Sequence, residues 1–347
     1  MNNLKALKLS EISPLGPEIR AEFEKAIDLM RKARRILISS TLTADGDSIG
    51  AQIGVLYFFK ALGKKDSDIR IVNHTKVPDR YSFLSEVEKI QELNSADPTD
   101  LQNFDLGIVC DGGVERTGSV APLFDSIKDC ILIDHHVVGS QRDYSAKLLD
   151  LTASSTCEIV FNLFDVGNVK LSKEVAEQLY LGIVFDTGFF KHSLTTPRTH
   201  QVAAELIRTG IDFSQLSDRA LLERTWSAQL LLLKLLQNME RHFADQLILS
   251  SWSQSELLEI NFKDGDQEGM INQLYFTQGV KVVALITEIS PTSCKISFRS
   301  KGDFNVADLA RSIDPEGGGH KRAAGCSLQK SMAEAKALVK EKIEPLL

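Results

Sequence analysis

Short apolar runs rich in isoleucine and valine alternate with longer polar stretches along the first half of the chain. Runs that are apolar throughout, rather than at every second residue, are typical of strands buried on both faces of a parallel sheet. The segments between them are long enough for helices or long loops. The pattern therefore predicts an α/β fold with a doubly wound, mostly parallel sheet, whose strands lie at residues 34–41, 69–72, 105–110 and 130–133.

Helical signals lie between and after these runs. Apolar residues recur near the helical period over 48–63, and that segment closes on a glycine, as many helices do. Ser172 can cap a second helix, and Thr196 followed by Pro197 is the start signal of a third. Residues 214–240 predict one or two further helices that join the two halves of the chain.

The pattern changes at about residue 247, where the apolar runs become shorter. They predict a smaller mixed sheet with strands at 247–252, 280–290 and 293–300. The glycine-rich stretch 317–325 predicts a turn whose final Ala-Ala-Gly begins a helix, and a charged amphipathic helix closes the chain. We therefore predict a first domain at 18–212, a helical linker at 213–242 and a smaller α/β mixed-sheet domain at 243–347.

Length and composition narrow the class of protein. The chain has 347 residues, 43% of them hydrophobic, which is enough for two cores. A net charge of −7 argues against a protein that coats long nucleic acid, although it leaves room for a local anion pocket. The five cysteines are scattered and never form a C-x-x-C pair, which favours reduced thiols. Since no window approaches 18 uninterrupted apolar residues, we expect a cytoplasmic protein without membrane spans.

Acidic residues and histidines follow several of the predicted elements. Asp45 and Asp47 lie between the first strand and the next helix, Asp111 and the Asp-His-His of 134–136 end two later strands, and Asp186 ends a helix. The carboxyl ends of parallel strands meet at one edge of a sheet, so most of these groups should converge. Any single aspartate there is most often a cap or turn residue. Converging carboxylates repel one another unless a cation joins them, and oxygen with imidazole suits Mn²⁺, Mg²⁺ or Fe²⁺.

These residues resemble a known family, the DHH/DHHA1 phosphoesterases, and most closely its nanoRNase/pAp phosphatase branch. The matching stretches include "ADGDSIGA", "IVCDGG", "LIDHHVV", "LYLGIVFDTGFF" and "SFRSKGDFNVADLARSIDPEGGGHKRAAG", and the resemblance spans about residues 20–345. It implies a metal-dependent phosphodiesterase acting on short RNA or DNA oligonucleotides, on linear or cyclic dinucleotides, or on 3′-phosphonucleotides such as pAp. It leaves a homodimer open.

The resemblance also implies a binuclear metal centre, usually manganese, with Mg²⁺ or Co²⁺ as alternatives. Asp47, Asp111, His135 and Asp186 would hold one ion, whereas Asp45 and the bridging Asp111 would hold the other. His136 would face the scissile phosphate. The residues implied in catalysis are therefore Asp45, Asp47, Asp111 and His136.

One position departs from the family pattern. A histidine normally stands four residues before the first aspartate of the D-x-D pair, and here that position is Thr41. A hydroxyl is a far poorer ligand than imidazole, so an ion held by Asp45 should bind weakly unless His74 or His192 substitutes. Three alternatives stay open: one tight and one loose ion, a recruited ligand, or a binding protein that senses a nucleotide or cyclic dinucleotide without cleaving it. Because the other ligand positions are intact, we favour retained activity.

The second predicted domain carries a candidate anion site. Three successive glycines followed by basic residues can present backbone N–H groups to a phosphate, although such a tract is also compatible with a flexible turn. An arginine and a lysine at the end of the predicted strand 293–300 favour the anion site. The candidate substrate-binding residues are Arg299, Lys301, Gly317, Gly318, Gly319, His320 and Lys321.

Other residues are weaker candidates. Ser154, Ser155 and Thr156 should cap the helix that follows them. Arg116 lies just beyond Asp111 and is equally compatible with a phosphate contact and with a solvated loop. The aromatic residues Phe58, Phe59, Phe189 and Phe190 favour the core over base stacking.

Overall fold

A computed structural model describes residues 15–137, 142–263, 265–267 and 269–347. The chain divides into two compact units, one that ends at Glu223 and one that begins at Arg224. The residues predicted as a linker, 213–242, are thereby shared between the two units. In the described ranges, no helix combines the length and the apolar character that crossing a membrane requires.

The first unit is built on a six-stranded sheet in the order β3-β2-β1-β4-β5-β6, in which every neighbouring pair is parallel. The order reverses between β1 and β4, which are hydrogen-bonded neighbours. The predicted doubly wound parallel sheet is therefore confirmed. Its strands are β1 Ile36–Ser39, β2 Ile69–Asn73, β3 Ile90–Glu92, β4 Leu106–Cys110, β5 Asp129–Asp134 and β6 Ala146–Leu149.

Helices pack on one face of this sheet and form the larger core with it. The other face is covered by a smaller cluster that includes Val114, Val120 and Phe124 from two short 3-10 turns, Val114–Arg116 and Gly118–Phe124. The helices are α1 Pro17–Lys32, α2 Gly46–Ala61, α3 Thr156–Val166, α4 Lys173–Thr187, α5 Pro197–Arg208 and α6 Phe213–Ser217, which a π-helical turn at Asp218–Leu222 follows.

The second unit is a mixed sheet in the order β11-β12-β10-β9-β8-β7, antiparallel except for the pair β8 and β9. Helices cover both faces, because two separate clusters of buried residues lie on the two sides of β8 and β9. The elements are α7 Trp226–Gln237, β7 Glu240–His242, β8 Leu247–Trp252, α8 Gln254–Glu259, α9 Ile271–Tyr275, β9 Val282–Ser290, β10 Ser293–Ser300, α10 Val306–Ile313, β11 Gly318–His320, β12 Ala323–Leu328 and α11 Met332–Ile343.

The predicted helix caps are found where the sequence places them. The side chains of Ser155, Ser172 and Thr196 each accept a hydrogen bond from a backbone N–H of the helix that they begin. Pro197 occupies the first turn of α5, where its missing N–H costs no hydrogen bond. All five cysteines are unpaired and buried.

Three local expectations were wrong. Ala-Ala-Gly at 323–325 does not begin a helix but forms β12, because its backbone pairs with β10 on one side and β11 on the other. Asp47 lies inside the first turn of α2, since Asp45 caps that helix two residues earlier. Phe189 is 44% exposed rather than part of the core, because the chain turns at a positive φ of 61° directly after α4.

Candidate metal centre

The sheet topology brings the predicted acidic groups to one place. Asp45 follows β1, and Asp111 follows β4, the neighbour of β1 at the point where the strand order reverses. In open parallel sheets the crevice at such a reversal is the usual ligand site. Asp134 ends β5 beside β4, so His135 and His136 reach the same carboxyl edge. Asp186 arrives from the last turn of α4.

Asp47 is held by the beginning of a second helix. Its side chain is fully buried and accepts hydrogen bonds from the backbone N–H groups of Thr156 at 2.7 Å and Cys157 at 2.9 Å. These N–H groups belong to the first turn of α3, where the helix dipole favours a negative charge. Burial nevertheless raises the pKa of Asp47, with the charge of Asp45 acting in the same direction and His135 opposing it. The carboxylate is thus fixed in place while needing a cation nearby.

Glycines allow α2 and α4 to approach closely enough to bring Asp47 and Asp186 together. A Cβ built on Gly50 of α2 would lie 2.5 Å from the backbone oxygen of Gln178 in α4. A Cβ built on Gly182 of α4 would lie 2.7 Å from Oδ1 of Asp47 and 3.0 Å from its Cα. Neither distance leaves room for a larger side chain, so these two glycines set the separation of the two helices.

Asp111 adopts an unusual backbone conformation that aims its carboxylate into the cluster. Its φ of +63° lies in the left-handed region, which aspartate tolerates better than most residues. Oδ2 accepts a hydrogen bond from Ser48 at 2.5 Å, and Oδ1 accepts one from Thr156 at 3.2 Å. Burial and the charge of Asp47 raise the pKa of Asp111 to about 6, although Ser48 and the two neighbouring histidines oppose the shift.

His135 is a candidate metal ligand. Its Nδ1 lies 3.3 Å from the backbone oxygen of Ala153, and since a carbonyl oxygen only accepts, Nδ1 carries the proton. Nε2 lies 3.0 Å from Oδ2 of Asp186 and is buried without an aligned hydrogen bond. In a neutral ring its lone pair would face the carboxylate oxygen, and two acceptors at this separation repel unless a proton or a metal cation joins them.

The raised pKa of His135 also indicates that the cluster favours a bound positive charge. Burial alone lowers the pKa of an imidazole, but the contact with Asp186 and the charges of Asp47 and Asp111 outweigh it and raise the pKa of His135 to about 10. Burial also raises the pKa of Asp186 well above its usual value, with the charge of Asp47 adding to that shift and the contact with His135 opposing it. A bound divalent ion would remove this conflict more effectively than a single proton.

Two sets of donor atoms are close enough to share an ion, each with all its ligand atoms within 4.8 Å. Both sets contain His135, and the donor chemistry of oxygen and imidazole fits Mn²⁺, Mg²⁺ or Co²⁺. These sets are Asp47, His135 and Asp186, and Asp111, His135 and His136.

His136 is oriented separately. Its Nδ1 lies 2.9 Å from Oδ1 of Asp134, and its backbone N–H donates to the same oxygen. Because a carboxylate only accepts, Nδ1 carries the proton and Nε2 is left for another partner. The ring is about one-third exposed, whereas Asp134 is buried, and Nδ1 also lies 3.5 Å from Oδ1 of Asp111.

Asp45 and Thr41 are placed differently from the cluster. Oδ1 of Asp45 accepts hydrogen bonds from the backbone N–H groups of Asp47 and Ser48, which makes Asp45 the cap of α2. Thr41 is buried, and its hydroxyl lies 3.5 Å from both the carbonyl oxygen of Thr43 and the hydroxyl of Ser48. In the described residues, Asp45 belongs to no set of His, Cys, Asp or Glu donors close enough to share an ion.

The two histidines considered as substitute ligands have other contacts. Nδ1 of His74 lies 2.7 Å from the hydroxyl of Ser119. Nδ1 of His192 lies 2.8 Å from the backbone oxygen of Asp186, so this histidine tethers the loop after α4 to the helix end. Within the described part of the chain, neither joins a set of donors close enough to share an ion.

A buried ionic network that the sequence did not reveal supports the loop that positions His135 and Asp47. Arg198 forms ion pairs with Asp150 and Glu158, each at 3.0 Å, and these two residues stand at the two ends of the segment 150–158. Glu158 is fully buried and also accepts hydrogen bonds from the backbone and hydroxyl of Ser154. The sequence offered no signal for this network, because each residue alone resembles an ordinary helix or loop residue.

In the second unit, the predicted basic residues lie at one end of β10 and in the β11–β12 hairpin. The Arg299 guanidinium is partly buried and donates to the backbone oxygen of Phe298, and burial lowers its pKa. Lys301 donates to the backbone oxygen of Thr277 and lies 5.1 Å from the ring centre of Tyr275. Lys321 pairs with Asp303, a highly exposed partner, at 3.1 Å.

The three glycines of this hairpin differ in what surrounds them. A Cβ on Gly317 would lie 2.7 Å from the backbone oxygen of Ala310, and Gly319 has a φ of +139° with its own close backbone neighbours. Gly318 would place a Cβ in open space. The fold therefore requires glycine at Gly317 and Gly319, whereas no described residue lies within 4 Å of a Cβ at Gly318. His320 is exposed.

Comparison with family models agrees with both units. Residues 35–183 match the DHH family, N-terminal domain, and residues 247–345 match the DHHA1 domain. These two ranges contain every residue of the metal cluster except Asp186 and every candidate residue of the second unit.

Relatives of the chain extend over most of its length. A bifunctional oligoribonuclease and PAP phosphatase, NrnA, of Bacillus subtilis is 30% identical over 72% of this chain and 80% of its own. The protein of the same name from Thermus thermophilus is 28% identical over 85% of this chain and 84% of its own. The crystal structure of an exopolyphosphatase-related protein from Bacteroides fragilis has a TM-score of 0.84 and 25% identity, and the match covers 94% of this chain and 97% of the other.

Proposed function

The chain belongs to the DHH family of phosphoesterases, and we propose that it is a metal-dependent phosphodiesterase of short oligonucleotides and of 3′-phosphonucleotides such as pAp. The names of the NrnA relatives support this substrate class. The net charge of −7 supports a small substrate held in a local pocket rather than a long nucleic acid.

The observation that carries the proposal is the opposition of His135 Nε2 and Asp186 Oδ2 at 3.0 Å, with Asp47 and Asp111 beside them. We infer that Asp47, Asp111, His135 and Asp186 hold one ion tightly. A divalent ion held there would supply Lewis-acid activation of water and neutralise charge on the phosphate oxygens. Asp45, without an imidazole at Thr41, would hold a second ion only weakly.

The chain's own residues would prepare the reaction. The first turn of α3 fixes Asp47, the carbonyl of Ala153 fixes the ring of His135, and Ser48 fixes Asp111. His136, oriented by Asp134, would direct Nε2 at the scissile phosphate and act there as a general acid that gives a proton to the leaving oxygen. These contacts hold the groups in position before substrate arrives, which is the main protein contribution in such sites.

The second unit would bind the substrate. Arg299 has a guanidinium that can grip a phosphate through two N–H groups, and the open space over Gly318 allows a ligand to approach the backbone. Lys301, Gly317, Gly319, His320 and Lys321 complete the proposed substrate-binding set. Because Lys321 pairs with an exposed aspartate, that pair is weak enough to exchange for a phosphate.

A second candidate function is nucleotide binding without hydrolysis, which the replacement of a ligand histidine by Thr41 favours. It predicts saturable binding of a nucleotide or cyclic dinucleotide with no product, whichever ion is supplied. The two intact donor sets that share His135 argue for the enzyme, since binding without hydrolysis needs neither of them.

Product formation tests the proposal. The substrates are pApA, pAp, cyclic di-AMP and pyrophosphate, each with Mn²⁺, Mg²⁺, Co²⁺ or no metal, and the products are separated by chromatography. The variant Asp111→Asn removes a charge but tolerates the left-handed backbone, and Asp28→Asn on exposed α1 serves as a matched control. We expect metal-dependent turnover of a nucleotide in the wild type and the control only. Saturable binding without product in every arm would replace the proposal with the binding function.

A further inference from the structure

Among the described residues, no imidazole joins Asp45 and Asp111 around a second ion on the Thr41 side of the centre. The Thr41 hydroxyl lies 3.5 Å from two neutral oxygens, those of Thr43 and Ser48. The Oδ1 atom of Asp45 already accepts two backbone hydrogen bonds as the cap of α2. The Ser48 hydroxyl, at 2.5 Å, occupies Oδ2 of Asp111, an oxygen that could otherwise bridge two ions.

The number of available imidazole groups also favours one ion over two. Both sets of donors in the described residues depend on His135, and one Nε2 atom can coordinate only one ion. Filling the set with Asp47 and Asp186 uses that atom, and Oδ1 of Asp111, 3.8 Å from it, can join the same ion, so His135 is not available to share a second ion with His136. These residues fit one complete site and do not fit two.

A cationic side chain lies beside Thr41 instead. Arg116 ends the 3-10 turn that follows Asp111, and its side chain runs along Gly112. A Cβ built on Gly112 would lie 3.5 Å from Nη1 of Arg116 and 2.9 Å from Cγ2 of Thr41, so the two side chains flank the same point. Arg116 is exposed, and in the described parts of the chain no carboxylate forms an ion pair with it within 4.0 Å.

We propose that this centre binds a single divalent ion tightly, and that the Arg116 guanidinium takes the place of the second ion against the substrate phosphate. An arginine can offer two parallel N–H groups to a phosphate and keeps its charge at any working pH. The inference rests on the proposed function, because it assumes a phosphate ester as substrate. At the Mn²⁺ concentrations that fill this one site, Asp45 then acts as a helix cap, since a second ion beside it would bind only weakly.

The number of bound ions, which can be measured without any substrate, tests whether the centre holds a single ion. Mn²⁺ binding is measured by calorimetry and by electron paramagnetic resonance, in which two neighbouring Mn²⁺ ions give a coupled signal. The wild type should bind one Mn²⁺ per chain with an uncoupled signal, and Thr41→His should bind two with a coupled signal. The control Thr41→Val, which keeps the size and removes the hydroxyl, should bind one.

Asp45→Asn keeps the question decidable if Thr41→His does not fold. Asparagine caps a helix as well as aspartate does but carries no charge. We expect Asp45→Asn to leave the Mn²⁺ count and affinity of the wild-type chain unchanged within about threefold. A second Mn²⁺ of similar affinity in the wild type, or its loss in Asp45→Asn, would overturn the one-ion centre.

Enzyme kinetics test whether Arg116 takes the place of the second ion. Arg116→Ala should lower kcat about 100-fold in the wild type, the size of effect seen when one transition-state donor is removed. Arg116→Lys should recover part of that loss, and Arg31→Ala on α1, another exposed arginine, should have no effect. In the Thr41→His background the loss from Arg116→Ala should shrink about tenfold, because the second ion supplies the same charge.

Equal losses from Arg116→Ala in both backgrounds would refute the exchange between arginine and ion. These results remain distinct from the fate of the proposed function. An absence of nucleotide turnover under every condition would contradict the phosphodiesterase, whereas the Mn²⁺ count would still decide how many ions the centre holds.

Discussion

Replacing Gly182 with alanine should damage the metal centre through helix packing alone. Gly182 lies on α4 where that helix faces the first turn of α2, and an added Cβ would collide with the thiol of Cys157 and with Asp47. The nearest Asp47 atoms, Oδ1 and Cα, would lie at 2.7 and 3.0 Å. A backbone Cα cannot rotate away, so α2 and α4 must separate or tilt.

The size of the effect follows from these distances. To reach the 3.4 Å of an ordinary contact, Oδ1 of Asp47 must recede by about 0.7 Å, well beyond the ~0.2 Å tolerance of a metal–ligand bond. We expect Mn²⁺ affinity to fall by about 10- to 100-fold, as when supporting contacts of a metal site are lost. Overpacking costs about 1–3 kcal/mol, while the higher helix propensity of alanine returns about 1 kcal/mol.

Calorimetry with Mn²⁺ and urea unfolding measure the two effects separately. The matched control is Gly54→Ala in the same helix interface, since the nearest atoms to its Cβ would be side-chain methyl groups of Leu179 and Val160, at 2.9 Å, and not a metal ligand. We expect this control to keep wild-type Mn²⁺ affinity within about threefold. If Gly182→Ala bound Mn²⁺ as tightly as Gly54→Ala, Asp47 would not be a ligand held by this packing, and the reasoning would be refuted.

Three further predictions concern the hairpin, the buried ionic network and the metal. Gly319→Ala should lower the free energy of urea unfolding by about 1–3 kcal/mol, because the φ of Gly319 is +139° and an added Cβ would lie 2.7 Å from Cα of Ala324. Gly318→Ala should keep wild-type stability and weaken nucleotide binding. Equal stabilities of the two variants would contradict this prediction. Asp150→Asn should cost about 2 kcal/mol at pH 7, because Arg198 loses one of its two carboxylate partners and keeps only Glu158. Burial raises the pKa of the Asp150 carboxyl, but its contacts with Thr152 and Arg198 outweigh burial and lower the pKa. The stability that the Asp150 carboxylate contributes is therefore present at neutral pH and is lost as the pH falls through the folded-state pKa. If the variant lost stability toward acid pH in the same way as the wild type, this prediction would be refuted. Mn²⁺ at 100 times its Kd should stabilise the chain by about 2.7 kcal/mol over a chelated sample in calorimetric melting, and identical midpoints would count against a site.

Strands, caps and the acidic groups could be read from the sequence because each depends on local chemistry. Continuous apolar runs showed the buried strands, and Ser172 and Thr196 showed where helices begin. The carboxyl ends of β1 and β4 could be predicted to meet because parallel strands align their ends. The cluster around Asp111 therefore followed from topology rather than from any single motif.

Features that depend on contacts distant in sequence could not be predicted. The strand at 323–325 resembles a helix start locally, and only pairing with β10 and β11 decides its conformation. Arg198 meets Asp150 and Glu158 because of where α5 packs. The sequence predicts that α5 is a helix, but it does not show which residues the helix packs against. Phe189 is apolar, yet a positive φ at the end of α4 turns it to solvent.

Anomalous diffraction at the manganese edge, from crystals grown with Mn²⁺, tests the central claim most directly. A strong peak within bonding distance of Asp47, Asp111, His135 and Asp186, and none of comparable height beside Asp45, is the predicted result. Diffraction from Asp111→Asn crystals should show that peak weakened or lost. No peak among these four residues, in crystals of an enzyme that turns over nucleotides with Mn²⁺, would contradict the account.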